Sequence, residues 1–166
     1  YVEFLNALTF AQQQSRIATD PTSATGTYVT FGANYYRNGI VIETPGNNAA
    51  IPAVFGCDAT NGVFNNVNDG QSVAMANLSW ADLAAYLDWA ALRPMTELEF
   101  EKVCRGTAPR VAGEYPWGDT TINPFYSTTV VNSLQPTEAA NAVVNGRCAH
   151  ALGSSSPIYG ALKVGV

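Results

Sequence analysis

The chain has 166 residues, of which 47% are apolar and 13% are charged, and its net charge is −5. This length and composition predict one domain with a sizeable hydrophobic core, and no apolar run is long enough to span a bilayer. Because the eight basic residues are scattered singly, nucleic acid and anionic membranes are poor partners. The polarity comes mainly from Asn, Thr, Ser and Gln, which favours a secreted or cell-surface location.

Residues 18–78 predict short strands separated by loops. β-Branched and aromatic residues form short runs at Thr27–Phe31 and Gly39–Ile42, and Gly, Pro, Asn and Thr interrupt the sequence between them. No internal repeat or linker divides the chain, so one domain accounts for all of it.

Oxygen-bearing side chains are concentrated in the loop at residues 57–70. Asp58, Asn61 and Asp69, with neighbouring asparagines, offer the carboxylate and amide oxygens that Ca²⁺ prefers. The spacing does not match an EF-hand, and two carboxylates would bind the ion weakly. A solvated, Asn-rich loop is therefore the alternative interpretation.

Residues 79–91 predict an amphipathic helix. Ser79 is the expected N-cap, with Asp82 three residues later in position to return a hydrogen bond. Pro94 is expected to end the helix, because it lacks a backbone donor. The apolar residues that recur at helical spacing and form one stripe are Trp80, Leu83, Ala84, Leu87 and Ala91.

A second helix is predicted to begin directly after Pro94. Thr96 and Glu99 have the spacing of a capping box, and Glu101 is placed to pair with Arg105 four residues later. Gly106 favours a left-handed C-terminal cap. The residues expected to face inward are Phe100, Val103 and Cys104.

The three cysteines form no CxxC pair, and His150 is the single histidine, which argues against a structural zinc site. Cys57 and Cys148 both lie in loop-like surroundings and are candidates for a disulfide in an oxidising compartment. Unpaired buried thiols are the alternative, because one sequence does not fix connectivity. A Cys148–His150 nucleophile is disfavoured, since residues i and i+2 in a loop have no defined mutual geometry.

The two helices and the aromatic turn after them resemble the formylglycine-generating enzyme family, also called sulfatase-modifying factors. The family pattern is S-W-x-D-A-x-x-Y-x-x-W-x-x-x-R-L-P-T-E-A-E-W-E-x-A-x-R-G, followed by Y-P-W-G-D or Y-P-W-G-N. Two departures are Pro94-Met95 in place of Leu-Pro and Phe100 in place of Trp. The matching residues are Ser79, Trp80, Asp82, Tyr86, Trp89, Arg93, Thr96, Glu97, Glu99, Phe100, Glu101, Arg105, Gly106, Tyr115, Pro116, Trp117, Gly118 and Asp119.

The resemblance implies an α+β fold of the formylglycine-generating-enzyme type, within the C-type-lectin-like group. Such a fold has two or three helices on a small, irregular, largely antiparallel sheet and is rich in loops. Tyr1–Asn6 resembles the first family helix, and Thr128–Val131 and Ala161–Val166 have the composition of strands. We expect residues 1–166 to be one domain that lacks the first strand or strands and the carboxyl-terminal portion. The predicted core comprises Phe4, Leu5, Leu8, Trp80, Leu83, Tyr86, Leu87, Trp89, Phe100, Val103 and Trp117.

The resemblance also implies a calcium site after the YPWG turn, for which Asn132, Glu138 and Asn141 are the candidate donors. Catalysis in the family uses a cysteine pair with copper near the carboxyl end, and this chain shows no such pair. We therefore assign no catalytic residue, and calcium is the one cofactor that the resemblance leaves possible.

The expected function is a non-catalytic binding or structural module of an exported or cell-surface bacterial protein. Such a module would act in adhesion, ligand recognition or extracellular assembly, with a protein or glycan ligand or other subunits as partners. One alternative is a fragment of a copper-dependent formylglycine-generating oxidase. Another is the substrate-binding domain of a related non-haem-iron enzyme.

Overall fold

Four helices and six strands lie in the part of the chain that the structure, a computed structural model, describes: residues 1–30, 39–47, 50–60, 62–109, 111–115, 120, 123–125, 130–140 and 147–149. The helices are α1 (Val2–Asn6), α2 (Phe10–Gln14), α3 (Trp80–Trp89) and α4 (Glu97–Arg105). The strands are β1 (Ile40–Thr44), β2 (Val54–Cys57), β3 (Asn123–Phe125), β4 (Val130–Val131), β5 (Ala139–Ala140) and β6 (Arg147–Ala149). The α+β, loop-rich fold class is confirmed.

Strands β1 and β2 form an antiparallel pair that carries one wall of the core. Ile40 lies opposite Cys57 and Ile42 lies opposite Phe55, with an irregularity in the register after Ile42. Tyr28 forms an isolated bridge to β1, so the predicted run at residues 27–31 contributes one bridge rather than a strand in the described part. The buried cluster comprises Phe4, Leu5, Val29, Ile40, Ile42, Ala53 and Phe55.

Polar side chains fasten the first two helices to strand β2 and to the residue before it. The Asn6 amide donates to the Phe55 carbonyl at 3.0 Å and accepts from the Phe55 N–H at 2.8 Å, so it pairs with β2 as a strand residue would. Gln13, which is fully buried, donates to the carbonyls of Leu5 and Ala53 and accepts from the Ala53 N–H. These contacts set the position of α1 and α2 against the sheet.

The remaining described strands are short. Strands β4 and β5 pair antiparallel, whereas β3 and β6 pair in parallel, with Pro124 opposite Cys148. The predicted strand at residues 128–131 is thus found as β4 at its last two positions, and Ala161–Val166 lies outside the described residues.

Helices α3 and α4 begin as predicted. Ser79 accepts from the Asp82 N–H at 3.1 Å and donates its hydroxyl to the Asp82 carboxylate at 2.6 Å. Thr96 and Glu99 form the complete reciprocal capping box. The predicted pair of Glu101 with Arg105 is present at 3.1 Å.

The end of α3 differs from its prediction. The helix stops at Trp89, well before Pro94, and Ala91 takes the left-handed conformation with φ of +55°. The Leu92 N–H donates to the Leu87 carbonyl at 2.7 Å and the Ala91 N–H donates to the Asp88 carbonyl, which together form a Schellman motif. The proline therefore lies in the connection to α4 and does not itself end the helix.

The predicted core is only partly correct. Phe4 and Leu5 are buried, whereas Leu8, Leu83, Tyr86 and Leu87 are half-buried. The prediction that Trp80, Trp89, Phe100 and Val103 are buried is wrong, since all four are exposed, and Trp117 lies outside the described residues. The described core forms between α1 and the β1–β2 sheet, and α3 meets it through Ala85, Tyr86 and Trp89, none of which belongs to the predicted stripe.

One ion pair joins the amino-terminal helices to α3. Arg16, just after α2, donates to the Asp82 carboxylate at 3.0 Å, and its guanidinium lies 6.0 Å from the centre of the Phe4 ring. The Phe4 ring in turn contacts Tyr86 and Trp89, with ring centres 5.9 and 5.7 Å away. Among the helices that the structure describes, none combines the length and apolar character needed to cross a bilayer.

Candidate functional site

The loop at residues 57–70 is organised around the carboxylate of Asp69, which is only 1% exposed. One oxygen of Asp69 accepts from the Thr60 N–H at 3.3 Å and from the Thr60 hydroxyl at 2.6 Å. The other accepts from the Asn66 N–H at 2.6 Å. This carboxylate therefore holds the loop together through donors of the protein itself.

The loop lies beside the second predicted calcium region. The Gly70 N–H donates to the Leu134 carbonyl at 3.1 Å, and Glu138, buried at 2% exposure, accepts from the Leu134 N–H at 2.7 Å. Asn132 has a positive φ of +52° and donates weakly to the Thr137 carbonyl at 3.5 Å. The two candidate regions are thus neighbours through the turn that contains Leu134.

Calcium takes six to eight oxygen ligands, which include carboxylates, amide and backbone carbonyls and waters. Within the described residues, no group of three or more His, Cys, Asp or Glu side chains is placed to hold a metal. One Asp58 carboxylate oxygen is buried and has no hydrogen-bond donor among the described residues. Asn61 and Asn141 lie outside the described residues, so both calcium sites stay predictions.

The cysteine prediction concerns Cys57 and Cys148. Cys57 is a buried free thiol, and burial, with the nearby Asp69 carboxylate, raises its pKa. Because the thiolate is the reactive form, this raised pKa makes Cys57 less nucleophilic. Cys148 is placed on β6, but its side chain lies outside the description. The Cys57–Cys148 bridge therefore stays a prediction for an oxidised chain.

The largest feature that the sequence did not predict is an exposed apolar surface on α3, α4 and their connection. We define this α3–α4 surface by its exposed members, Trp80, Trp89, Leu92, Met95, Leu98, Phe100 and Val103. Trp80 is 67% exposed and Leu98 is 76% exposed. Trp80, Trp89, Phe100 and Val103 were predicted to be buried, whereas Leu92, Met95 and Leu98 were not part of the predicted core.

A hollow of about 680 Å³, which we call the α4 hollow, lies beside α4 and shares Phe100 with this surface. Glu97, Phe100, Glu101, Cys104 and Arg105 line it at helical spacing from α4. The opposite wall comes from the segment after the helix, with Ala108, Pro109, Val111, Glu114 and Tyr115. Apolar and aromatic groups thus alternate with carboxylates around one open cavity.

The charges around the α4 hollow are unequally satisfied. Arg105 pairs with Glu101 at 3.1 Å and also with Glu114, so one guanidinium serves two carboxylates. Glu97 is exposed, and it has no ion-pair partner among the described residues. Phe100 and Tyr115 supply aromatic rings beside these groups. The described lining of the hollow therefore carries more carboxylates than cations beside its apolar groups.

A second cleft, of about 380 Å³, lies between α1, the β1–β2 sheet and α3. Its lining includes Ile40, Cys57, Met75 and Tyr86. Tyr1 lies at one end of the cleft, where burial, with a smaller effect of Asp82, raises its pKa to about 12. The cleft has mainly apolar walls.

The comparisons with known proteins give one similarity. No family model matches the chain, and no solved structure matches it. The chain is 33% identical over 70 residues to a protein of Thermomonospora curvata described as a formylglycine-generating enzyme. The match covers 42% of this chain and 22% of that protein, so the chain spans less than a quarter of that relative's length. This similarity supports a relationship to that enzyme over the matched stretch.

Proposed function

We propose that the chain is a non-catalytic binding or structural module of an exported or cell-surface bacterial protein, with the C-type-lectin-like fold of the formylglycine-generating enzyme family. The partial similarity to such an enzyme supports the family, and the low charged fraction supports the location. The described residues contribute a small core and a large exposed apolar surface, an arrangement suited to binding another molecule.

The α3–α4 surface is the observation that carries this proposal. Large exposed apolar patches mark interaction surfaces in monomeric proteins, and seven large apolar side chains are exposed between Trp80 and Val103. Two tryptophans, a methionine and a phenylalanine belong to residue types enriched at protein–protein interfaces. The favoured partner is therefore a protein, in preference to a glycan.

A photo-cross-linking experiment tests the surface. A benzophenone amino acid replaces Leu98 on α4 in one variant and the exposed Gln14 on α2 in a control, and both are expressed in the producing bacterium. We expect a defined extracytoplasmic protein, identified by mass spectrometry, to be cross-linked from position 98 and not from position 14. Equal cross-linking from both positions, or cross-linking of cytoplasmic proteins alone, would contradict the proposal.

A fragment of a copper-dependent oxidase is the second candidate, because the relative that the chain matches is described as a formylglycine-generating enzyme. The purified chain is incubated aerobically with copper and a cysteine-containing peptide, and a hydrazide reagent detects any aldehyde product. A non-catalytic module leaves the peptide unchanged. Copper-dependent aldehyde formation would replace the first proposal with the second.

A further inference from the structure

We propose that the α4 hollow binds a peptide segment in which apolar residues alternate with lysine or arginine. This inference rests on the proposed function, since it gives the chemistry of the partner segment that meets α4. It is carried by three observations: the apolar walls, the charge of the rim and the continuity of the hollow with the α3–α4 surface.

The walls of the hollow favour apolar side chains. Phe100 and Val111 are both more than half exposed, and they lie on opposite sides of the hollow, one on α4 and one on the segment after it. A partner side chain that enters between them removes apolar area from water on both walls. The volume of about 680 Å³ accommodates several side chains.

The charges select a cationic segment. Among the described lining residues, the carboxylates of Glu97, Glu101 and Glu114 outnumber the one guanidinium, that of Arg105. Arg105 is already paired with two of these carboxylates, so an anionic partner finds no free cation in the described lining. A lysine or arginine instead places its charge near Glu97 and its aliphatic stem along the apolar wall.

The aromatic rings fit the same chemistry. Phe100 and Tyr115 line the hollow beside the carboxylates, and a cation over an aromatic face is attracted by the ring quadrupole. The net charge of −5 on the whole chain adds long-range attraction for a basic segment.

The position of the hollow points to a protein segment as the source of these groups. Phe100 belongs both to the hollow and to the α3–α4 surface, so the two meet at this side chain. A protein that contacts the surface at Phe100 can extend from there into the hollow. A free small cation would leave the adjoining apolar surface uncovered.

Two labelled peptides test the proposal with the full chain. Fluorescence anisotropy measures binding of a peptide of alternating leucine and lysine and of a control peptide of alternating leucine and glutamate. We expect the lysine peptide to bind at least about tenfold more tightly and to weaken as salt is raised. Bound lysine peptide should also slow alkylation of Cys104, which lines the hollow, and leave alkylation of Cys57, in the other cleft, unchanged.

Substitutions localise the effect. Glu97→Gln should weaken binding of the lysine peptide about threefold. Glu3→Gln removes the same charge from α1 and should leave the affinity unchanged. Since Glu97 also lies in the first turn of α4, where a carboxylate stabilises the helix, Val111→Lys is a second variant outside the helix. It places a positive charge in the hollow and should weaken binding about tenfold.

Equal binding of the two peptides, equal effects of Glu97→Gln and Glu3→Gln, or unprotected Cys104 would each overturn the inference. Its failure is separable from that of the proposed function. Cross-linking at position 98 without binding of the lysine peptide would refute peptide binding in the hollow but not the proposed function. Peptide binding that protects Cys104, without cross-linking at position 98, would support the hollow as a peptide site and refute the α3–α4 surface as the partner-binding surface.

Discussion

Gln13 is a buried polar residue whose side chain replaces part of a strand. Its amide makes three hydrogen bonds with the backbone of Leu5 and Ala53, at 2.8 to 3.1 Å. Nothing in the sequence separates Gln13 from Gln12 and Gln14 on either side of it. Only the structure shows that the middle residue of the three points into the core.

Replacing Gln13 by leucine should therefore destabilise the chain strongly. The substitution leaves the N–H and carbonyl of Ala53 without these partners and removes one of two donors from the Leu5 carbonyl, which should lower the free energy of unfolding by about 3 kcal/mol. Gln14→Leu is the matched control, because Gln14 is exposed, and it should change stability by less than about 0.5 kcal/mol. Urea unfolding of the two variants measures the difference, and equal midpoints would show that the Gln13 contacts contribute little.

At the scale of single residues, sequence reasoning succeeds where one side chain acts on its own backbone neighbours. The cap partners Ser79, Thr96 and Glu99 are all as predicted, because capping depends on a spacing of three residues. Asn6 and Gln13 reach strand β2 or its neighbour from 40 or more positions away, so their roles depend on the tertiary fold.

At the scale of elements, the connection between α3 and α4 is fixed by one carboxylate. Glu99 accepts from the Thr96 N–H at 2.9 Å and pairs with the two terminal guanidinium nitrogens of Arg93, at 2.5 and 2.8 Å. These contacts, the Arg93 bond first, lower the pKa of Glu99 from 4.5 to about 2. The start of α4 is thus held by an ionised side chain.

The connection between α3 and α4 should become less stable in acid. Because the pKa of Glu99 is depressed in the folded chain, its contribution is fully present above about pH 4.5 and is lost as the pH falls towards 2. Amide hydrogen exchange in the first turn of α4 is measured between these limits. As the pH falls, these amides should lose protection, so that their exchange rate rises relative to that of an unprotected amide at the same pH. Glu99→Gln should reduce the pH dependence, whereas Glu97→Gln should keep it. A pH dependence unchanged in Glu99→Gln would contradict this account.

Sequence reasoning placed the starts of α3 and α4 correctly but misjudged the end of α3. Pro94 was the expected stop, whereas the Schellman motif around Ala91 ends the helix earlier. An alanine at this position carries no visible signal, because glycine usually occupies the left-handed residue of the motif.

At the scale of the whole molecule, the described core lies between α1 and the β1–β2 sheet. The sequence predicted the buried Phe4 and Leu5 of α1 but did not predict β2. Nothing in the sequence shows whether Phe55 or Val54 is the buried residue of that strand. Phe55 is 2% exposed and Val54 is 45% exposed. The wrong assignment of Trp80 has a related cause, since an apolar stripe shows which face can be covered but not what covers it.

These two neighbours on β2 test the location of the core. Phe55→Ala should lower the free energy of unfolding by about 3 to 5 kcal/mol, because it leaves a cavity among buried side chains. Val54→Ala should cost less than about 1 kcal/mol, since that side chain is half in water. Thermal or urea unfolding of the purified chain compares them. A larger loss for Val54→Ala would place the core on the other face of the sheet.

Asp82 receives both the hydroxyl of the N-cap Ser79 and the guanidinium of Arg16. The beginning of one helix and the residue just past another are thereby tied to a single side chain, across more than sixty positions of sequence. If either of these helix ends frays, Asp82 loses one of its two hydrogen-bond donors, and the other end loses part of its support. Segments far apart along the polypeptide should consequently melt as one cooperative unit rather than in two stages.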